Sequence, residues 1–122
     1  MSNPNIILRK WSGRIRTADE QEYVDYVAKT GADDYTSTPG NLGYQILVRT
    51  LGDGTSEVTT LSWWRDMEAI RGFAGPQPEL SRYYPADDRF LLDRSKFVEH
   101  HRVAGGEPVM ASTAGSVSET AA

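Results

Sequence analysis

The chain has 122 residues, 39% of them hydrophobic and 25% charged, which is enough for one domain with its own core and too apolar for a disordered chain. Its formal net charge of -4 repels phosphate backbones, so nucleic acid is not expected as a partner. It contains no cysteine, and its first apolar run, Ile6 to Leu8, is too short for a signal sequence or a membrane span. We therefore expect a soluble, cytoplasmic protein that has no disulfides and does not enter a membrane.

The first predicted elements are a strand and a helix. Residues 5–13 begin with an apolar run and continue with alternating residues, as in a strand with at least one buried face. A helix is expected to begin at Thr17, because Thr17 and Glu20 have the spacing of a capping box. Its apolar face is formed by Tyr23, Tyr26, Val27 and Thr30. Gly31 can end this helix, and residues 33–41 are predicted to form a polar connection.

The middle of the chain predicts a hairpin followed by a second helix. Residues 43–51 and 57–64 alternate in the manner of two strands. The residues between them, Gly52-Asp53-Gly54, tolerate positive φ and favour a β-hairpin. Asp66 is expected to cap a helix that continues through Ala74, where Gly75-Pro76 ends it.

The last predicted elements complete an α+β fold. A short third helix is expected to begin at Pro78, and residues 97–103 predict a final strand. The order β, α, β, β, α, β is that of a ferredoxin-like domain, with a four-stranded antiparallel sheet and helices on one face. We assign residues 1–104 to this domain and predict a disordered tail over residues 105–122, which lack aromatic residues and any apolar period.

The uncovered face of such a sheet would be apolar. Apolar residues alternate with polar ones on both faces of the strands, so the face without helices would expose a sizeable patch. The apolar residues concerned include Ile6, Leu8, Leu47, Leu61 and Trp63. We therefore predict a homodimer in which the two sheets pack face to face.

Four segments carry a family resemblance. They are LSWWRDMEAI with FAG at residues 61–75, PGNLGY at 39–44, YYPADD at 83–88 and VEH at 98–100. In this order they resemble the antibiotic biosynthesis monooxygenase family, over about residues 6–103. The resemblance implies a dimeric α+β barrel with a substrate pocket in each subunit, between the sheet and its helices. It does not imply one reaction, because relatives include quinone-forming monooxygenases, haem-degrading enzymes, isomerases and proteins of unknown role.

Two tryptophans and an arginine are candidate pocket residues from the strands. Trp64 matches the position at which haem-degrading relatives line their pocket, and it is a candidate catalytic residue. Period-two alternation turns Trp63 to the opposite, dimer-facing side. By comparison with the family's first strand, Trp11 and Arg9 face the helices and are candidate substrate-binding residues. The alternative for the tryptophans is a place in the core, and for Arg9 a position at the sheet edge.

His100 is the candidate proton acceptor, since imidazole titrates closest to neutral pH and His100 stands in the family-like VEH pattern. A structural histidine is the alternative. Tyr23 and Tyr83 are candidate substrate-binding phenols, with a core role as the alternative. Tyr26, on the same helix, could also line the cavity.

Neither a metal nor a cofactor is expected. His100 and the adjacent His101 point to opposite faces of a regular strand and cannot chelate one metal together. Haem-degrading relatives carry a haem-ligating histidine after the strand-to-helix signature, and residues 67–84 contain none. Quinone-forming relatives use an asparagine near the substrate, and the first strand has only Asn5, at its entrance.

Three functions follow from this interpretation. The first is a cofactor-independent monooxygenase that acts on an aromatic or polycyclic, apolar small molecule, in which His100 assists proton removal and the substrate carbanion reacts with O2. The second is a non-catalytic dimer that binds or senses a small molecule. The third is a structural dimer whose pocket is filled by its own side chains, which a cavity smaller than about 300 Å³ would favour.

Overall fold

A computed structural model describes residues 6–107 and shows one antiparallel sheet with helices packed on one face. Its centre is made of three ten-residue strands, β1 (Ile7–Arg16), β2 (Asn41–Thr50) and β3 (Thr55–Trp64). β2 and β3 form the predicted hairpin, whose turn contains Gly52 and Gly54 at φ of 88° and 86°. Both values lie in the left-handed region that glycine adopts without steric cost, so the local sequence predicts this turn correctly.

The outer edge of β1 carries the end of the chain in two short pieces. β4 (Asp93–Arg94) pairs with Gly13 and Arg14, and β5 (Glu99–Arg102) pairs with the first residues of β1. The sheet order is β2-β3-β1 with β4 and β5 both on β1. The predicted α+β, ferredoxin-like fold is confirmed. Its predicted last strand, residues 97–103, corresponds to the shorter β5, and β4 is an additional strand of two residues.

Within residues 6–107, four helices cover the sheet. They are α1 (Glu20–Lys29), α2 (Gly31–Ser37), α3 (Met67–Ala74) and α4 (Asp87–Phe90), and a 3-10 turn over Thr17–Asp19 precedes α1. α3 begins as predicted, because the Asp66 side chain accepts a hydrogen bond from the backbone N–H of Ala69 at 2.9 Å. It ends at Gly75, which has φ of 92°.

The start of α1 differs from the prediction. The capping box does not form, since the hydroxyls of Thr17 and Ser56 hydrogen-bond to each other and the Glu20 carboxylate accepts from Ser56 and Thr50. Thr17 and Glu20 therefore connect the 3-10 turn and the start of α1 to the hairpin, and they do not cap the backbone N–H groups of the helix.

Two other segments also differ from the prediction. Residues 33–41 do not form only a polar connection, because α2 occupies 31–37 and buries Ala32 and Tyr35 against the sheet. The helix predicted from Pro78 is absent among the described residues, where four-residue α4 lies further along the chain. The carbonyls of Pro78 and Leu80 accept hydrogen bonds from the Arg9 side chain, so tertiary contacts replace helical ones in this segment.

The core lies between the sheet and the helices in two clusters. The first contains Ala32, Tyr35, Trp64, Ala69, Ile70 and Phe73. The second contains Ile15, Tyr23, Val27, Val58 and Phe90. Alternate residues of β3, from Ser56 to Trp64, are buried under the helices. Trp63, Leu61, Leu8 and Leu47 lie on the opposite face, as expected from the period of two.

The uncovered face of the sheet is a broad groove. Its volume is about 690 Å³, and its lining mixes apolar with charged side chains: Leu8, Lys10, Leu47, Val48, Arg49, Glu57, Thr59, Leu61, His101 and residues 102–105. In residues 6–107 no helix is both long and apolar enough to cross a membrane. The predicted tail over 105–122 lies outside the described residues from 108 onward.

Candidate functional site

A small cleft lies between the two core clusters, under the helices. β1 and β3 form its floor with Arg9, Trp11 and Thr60, and Trp11 is directly opposite Thr60 in the strand register. The helices, the loop before α4 and the residue before β5 form the walls. They contribute Tyr23, Val27, Thr30, Gly31, Tyr35, Phe73, Arg82, Tyr83, Tyr84, Asp87 and Val98. The structure thus brings four predicted substrate-binding residues, Arg9, Trp11, Tyr23 and Tyr83, to one cavity.

The cavity has a volume of about 50 Å³. Ligand sites for drug-sized molecules start at about 300 Å³, whereas a water molecule needs only about 10–15 Å³. In this conformation the cleft therefore has room for a few water molecules or a group the size of a carboxylate, and an aromatic ring enters only if its walls move.

Arg9 is the cation at the base of the cleft. Arg9 is only 3% exposed, which differs from the expected alternative of an arginine extending into solvent at the sheet edge. Nη1 donates to the carbonyl of Pro78 at 2.5 Å, and Nη2 donates to the carbonyl of Leu80 at 3.1 Å. Burial lowers the pKa of Arg9, and the nearby Arg82 guanidinium lowers it further. No carboxylate of residues 6–107 lies within 4.0 Å of the Arg9 guanidinium.

His100 lies beside Arg9 on the neighbouring strand. The two residues are paired in the register of β1 and β5, and Nε2 of His100 is 3.1 Å from Nη1 of Arg9. Since a guanidinium has no acceptor, His100 accepts this hydrogen bond and carries its own proton on Nδ1. Burial, followed by the Arg9 charge, lowers the pKa of His100, so the ring is neutral at neutral pH. His100 does not line the cleft and reaches it through Arg9.

Tyr23 and Asp87 form a buried hydrogen-bonded pair on the other side of the cleft. The Tyr23 hydroxyl donates to Asp87 at 2.9 Å, and the second carboxylate oxygen accepts from the backbone N–H of Tyr84 at 2.7 Å. Asp87 is 5% exposed, so it is not the solvated turn residue that an acidic pair in a loop suggests. Burial, followed by the Asp87 charge, raises the pKa of Tyr23. Tyr23 therefore stays protonated and acts as a hydrogen-bond donor.

Trp11 and Tyr83 close one end of the cleft. The indole N–H of Trp11 donates to the Tyr83 hydroxyl at 3.1 Å, and that hydroxyl donates to the carbonyl of Ser95. The two rings meet edge to face, with centroids 6.1 Å apart and planes at 75°. The indole lies across Gly13, where a Cβ atom would be only 2.7 Å from Cη2 of Trp11.

Trp64 is placed differently from the other candidates. It is completely buried, and its indole N–H donates to the Ser62 hydroxyl at 2.8 Å. Its ring packs against Phe73, at 5.6 Å between centroids, and against Tyr35, at 6.0 Å. It lies behind these two rings and does not line the cleft. The catalytic role predicted for Trp64 stays a prediction. In this structure Tyr35 and Phe73, which pack on the Trp64 ring, line the cleft in its place.

Tyr35 and Arg82 line the cleft and were not found from the sequence. The Tyr35 hydroxyl donates to Thr60 at 3.2 Å, and burial raises the pKa of this phenol. Arg82 pairs with Asp34 at 3.2 Å and stacks over Phe73, with 4.9 Å from Cζ to the ring centroid. The helical spacing of Ala32 and Tyr35, three residues apart, was the available signal for α2. Arg82 has no comparable local signal.

In residues 6–107 no group of three or more His, Cys, Asp or Glu side chains is arranged to hold a metal ion.

Comparison with known proteins identifies the fold. No protein-family model matches the chain, and no curated protein matches it. Among solved structures, a proposed antibiotic biosynthesis monooxygenase from Bacillus cereus is 16% identical, with a TM-score of 0.57 over 86% of this chain and 99% of that one. SnoaB, a cofactor-independent oxygenase from Streptomyces nogalater, is 16% identical, with a TM-score of 0.51 over 86% and 97%.

A third similar structure has a different activity. It is a haem-degrading protein from Mycobacterium tuberculosis, 16% identical, with a TM-score of 0.52 over 86% of this chain and 99% of that one. The chain therefore has the fold of antibiotic biosynthesis monooxygenase-type proteins, which confirms the resemblance found in the sequence at the level of the fold. At this identity the likeness establishes the fold and leaves the reaction to the site.

Proposed function

We propose that this protein is an enzyme that resembles cofactor-independent monooxygenases and acts on a small aromatic, largely apolar substrate. The observation that carries the proposal is the cleft itself, whose walls include the rings of Trp11, Tyr23, Tyr35, Phe73, Tyr83 and Tyr84. Aromatic walls of this kind favour a flat aromatic ligand, because ring pairs gain energy beyond the area that they bury. The fold is also that of SnoaB, a cofactor-independent oxygenase.

The proposed reaction needs only the substrate and O2. A phenolic or enolisable substrate loses a proton, its carbanion forms a C–O bond with O2, and the resulting peroxide loses water. For anthrone the balance is one O2 consumed and one water released for each anthraquinone formed. The protein contributes by binding the ring and by stabilising the negative charge that develops on the substrate oxygen.

Arg9 is the group best placed to stabilise that charge. It is buried and lines the cleft, and a fixed cation in a site of low dielectric stabilises an anion more strongly than a solvated one does. His100 then acts through Arg9, because its Nε2 atom accepts an Arg9 N–H. Direct proton removal by His100, the role that the sequence indicates, stays a prediction that two substitutions can test.

The cleft must open for a ring to enter. The hydrogen bond between Trp11 and Tyr83 closes it, and Tyr83 belongs to a loop rather than to a helix or strand. Movement of this loop would widen the cavity without disturbing the sheet.

The small volume of the cleft favours a second candidate. At about 50 Å³ the cavity lies below the expected lower limit for a ligand site, as in a structural dimer filled by its own side chains. The two candidates differ in one respect, since only an enzyme opens the cleft for a substrate.

Oxygen uptake with anthrone tests the proposal. The wild-type protein should oxidise anthrone with one O2 per molecule, faster than the buffer does, as followed with an oxygen electrode. His100→Ala should lower the rate by about tenfold or more, whereas His100→Gln, which keeps an acceptor for Arg9, should retain most of it. His101→Ala, on the opposite face of β5, is the matched control and should have no effect.

Two results would contradict these roles. Equal losses in His100→Ala and His100→Gln would show that His100 takes the proton itself. A wild-type rate no higher than that of the buffer, for anthrone and for a series of phenols, would favour the structural dimer.

A further inference from the structure

Arg9 is a buried cation whose charge is not matched by an acid. Its hydrogen-bond partners are two backbone carbonyls and the neutral His100 ring. The other charged groups of the lining have partners, since Arg82 pairs with Asp34 and the Asp87 carboxylate accepts from Tyr23 and from the backbone. Burying an ion without an opposite charge is unfavourable, and an anionic ligand in the cleft would offset that cost.

The geometry of Arg9 leaves donors for a ligand. A guanidinium has five N–H groups, and the partners described above use two on Nη1 and one on Nη2. In residues 6–107 the Nε–H and the second Nη2–H have no partner. Nε and Nη2 are attached to the same carbon of a planar group, and a carboxylate accepts from two such nitrogens at once.

From this arrangement we propose that the cleft binds an aromatic carboxylic acid, with its carboxylate on Nε and Nη2 of Arg9 and its ring between the aromatic walls. The inference rests on the proposed function and names its substrate class. The cleft, at about 50 Å³, already has room for the carboxylate. The ring then occupies the space that opens when Trp11 and Tyr83 separate.

The charges of the lining favour a carboxylate over other anions. Asp87 is buried in the same lining and would repel a phosphate dianion more than a monoanion. A simple phenol, with a pKa near 10, is neutral at pH 7 and would leave the Arg9 charge unmatched.

Binding of three naphthalenes by the full chain tests the inference. The probes are 2-naphthoate, 2-naphthamide and 2-naphthol, which share the ring and differ in charge and hydrogen bonding, with inorganic phosphate as a fourth. Isothermal calorimetry should show 2-naphthoate bound at least about tenfold more tightly than the amide or the naphthol, and phosphate bound weakly or not at all.

Arg9→Met should remove this preference, so that naphthoate and naphthamide bind within about twofold of each other. Arg71→Met, at an exposed arginine of α3, is the control and should keep it. If Arg9→Met does not melt cooperatively, the ratio of the affinities of the wild-type chain for 2-naphthoate and 2-naphthamide decides whether the inference holds.

The outcomes separate the two proposals. Equal binding of all three naphthalenes would overturn the inference that the ligand carries a carboxylate, and it would leave the proposed aromatic binding site intact. Binding of phosphate but not of naphthoate would also overturn the carboxylate, in favour of a phosphorylated ligand. If no naphthalene binds, both the aromatic cleft and the inference built on it are wrong.

Discussion

At the scale of single residues, the pair formed by Arg9 and His100 makes stability depend on pH. Burial and the Arg9 charge lower the pKa of His100 below its usual 6.5, so the unfolded chain binds more protons than the folded chain in this range. The groups around His100 are Arg9, His101 and Glu79, of which only Glu79 favours the protonated ring. The folded state is therefore stabilised above about pH 6.5 and loses that contribution as the pH falls.

His100→Gln should reduce the pH dependence of stability. Urea unfolding at about pH 7.5 and about pH 5.5 should show a smaller loss of unfolding free energy on acidification in this variant than in the wild type. His101→Gln, which removes only the smallest of these contributions, is the matched control and should lose almost as much as the wild type. An unchanged pH dependence in His100→Gln would contradict the lowered pKa.

The sequence identified several site residues but not their contacts. The resemblance to the family's first strand placed Arg9 and Trp11 on the face that carries the helices, and helical spacing placed Tyr23 on the inner face of α1. The partners come from distant segments, because Arg9 meets carbonyls of residues 78 and 80, and Tyr23 meets Asp87. Spacing along the chain carries no information about such contacts, so the buried position of Asp87 does not follow from the sequence.

At the scale of elements, α3 depends on its cap. Asp66 accepts the N–H of Ala69, and the helix that it begins carries Phe73 into the wall of the cleft. Asp66→Ala should lower the free energy of unfolding by about 1 kcal/mol, measured by urea titration. Glu68→Ala, which removes only an exposed pair with Arg71, should cost less than about 0.5 kcal/mol. Equal losses of unfolding free energy in the two variants would show that the Asp66 cap stabilises α3 no more than an exposed ion pair does.

Elements with strong local signals were predicted well. The hairpin is predicted by alternation and two glycines, and α3 is predicted by its cap and by Gly75. Neither prediction requires knowledge of tertiary contacts. α2 was missed because six of its seven residues are small, polar or acidic, and it forms where Tyr35 can pack on Phe73. The helix predicted from Pro78 does not form, although its local signal is present, because the carbonyls of Pro78 and Leu80 accept hydrogen bonds from Arg9.

At the scale of the whole molecule, the uncovered face of the sheet supports the predicted homodimer. Leu47 is 44% exposed, and it shares this face with Leu8 and Leu61. Burying apolar area gains about 25 cal/mol per Å², so a second copy of the sheet would stabilise the face. The charged residues Lys10, Arg49 and Glu57 lie on the same face and would need partners across the interface.

Light scattering after size-exclusion chromatography should show the wild type as a dimer. The double variant Leu47→Lys and Leu61→Lys should shift it to a monomer, since it places two cations in the contact. Arg71→Glu, on the covered side of the molecule, is the control and should remain dimeric. A wild-type monomer at micromolar concentration would contradict the dimer.

Gly13 has a consequence for the breadth of substrates that this architecture can accept. The Trp11 indole rests where a side chain of residue 13 would stand, and Leu91 approaches the same point. A single methyl group there would displace the indole, because ordinary carbon contacts need about 3.5 Å or more. The width of the cleft at Trp11 thus depends on residue 13 beneath the indole as well as on the loop that carries Tyr83. Replacing Gly13 with progressively larger residues would give a series of variants whose clefts differ in width while the helices that cover them stay the same.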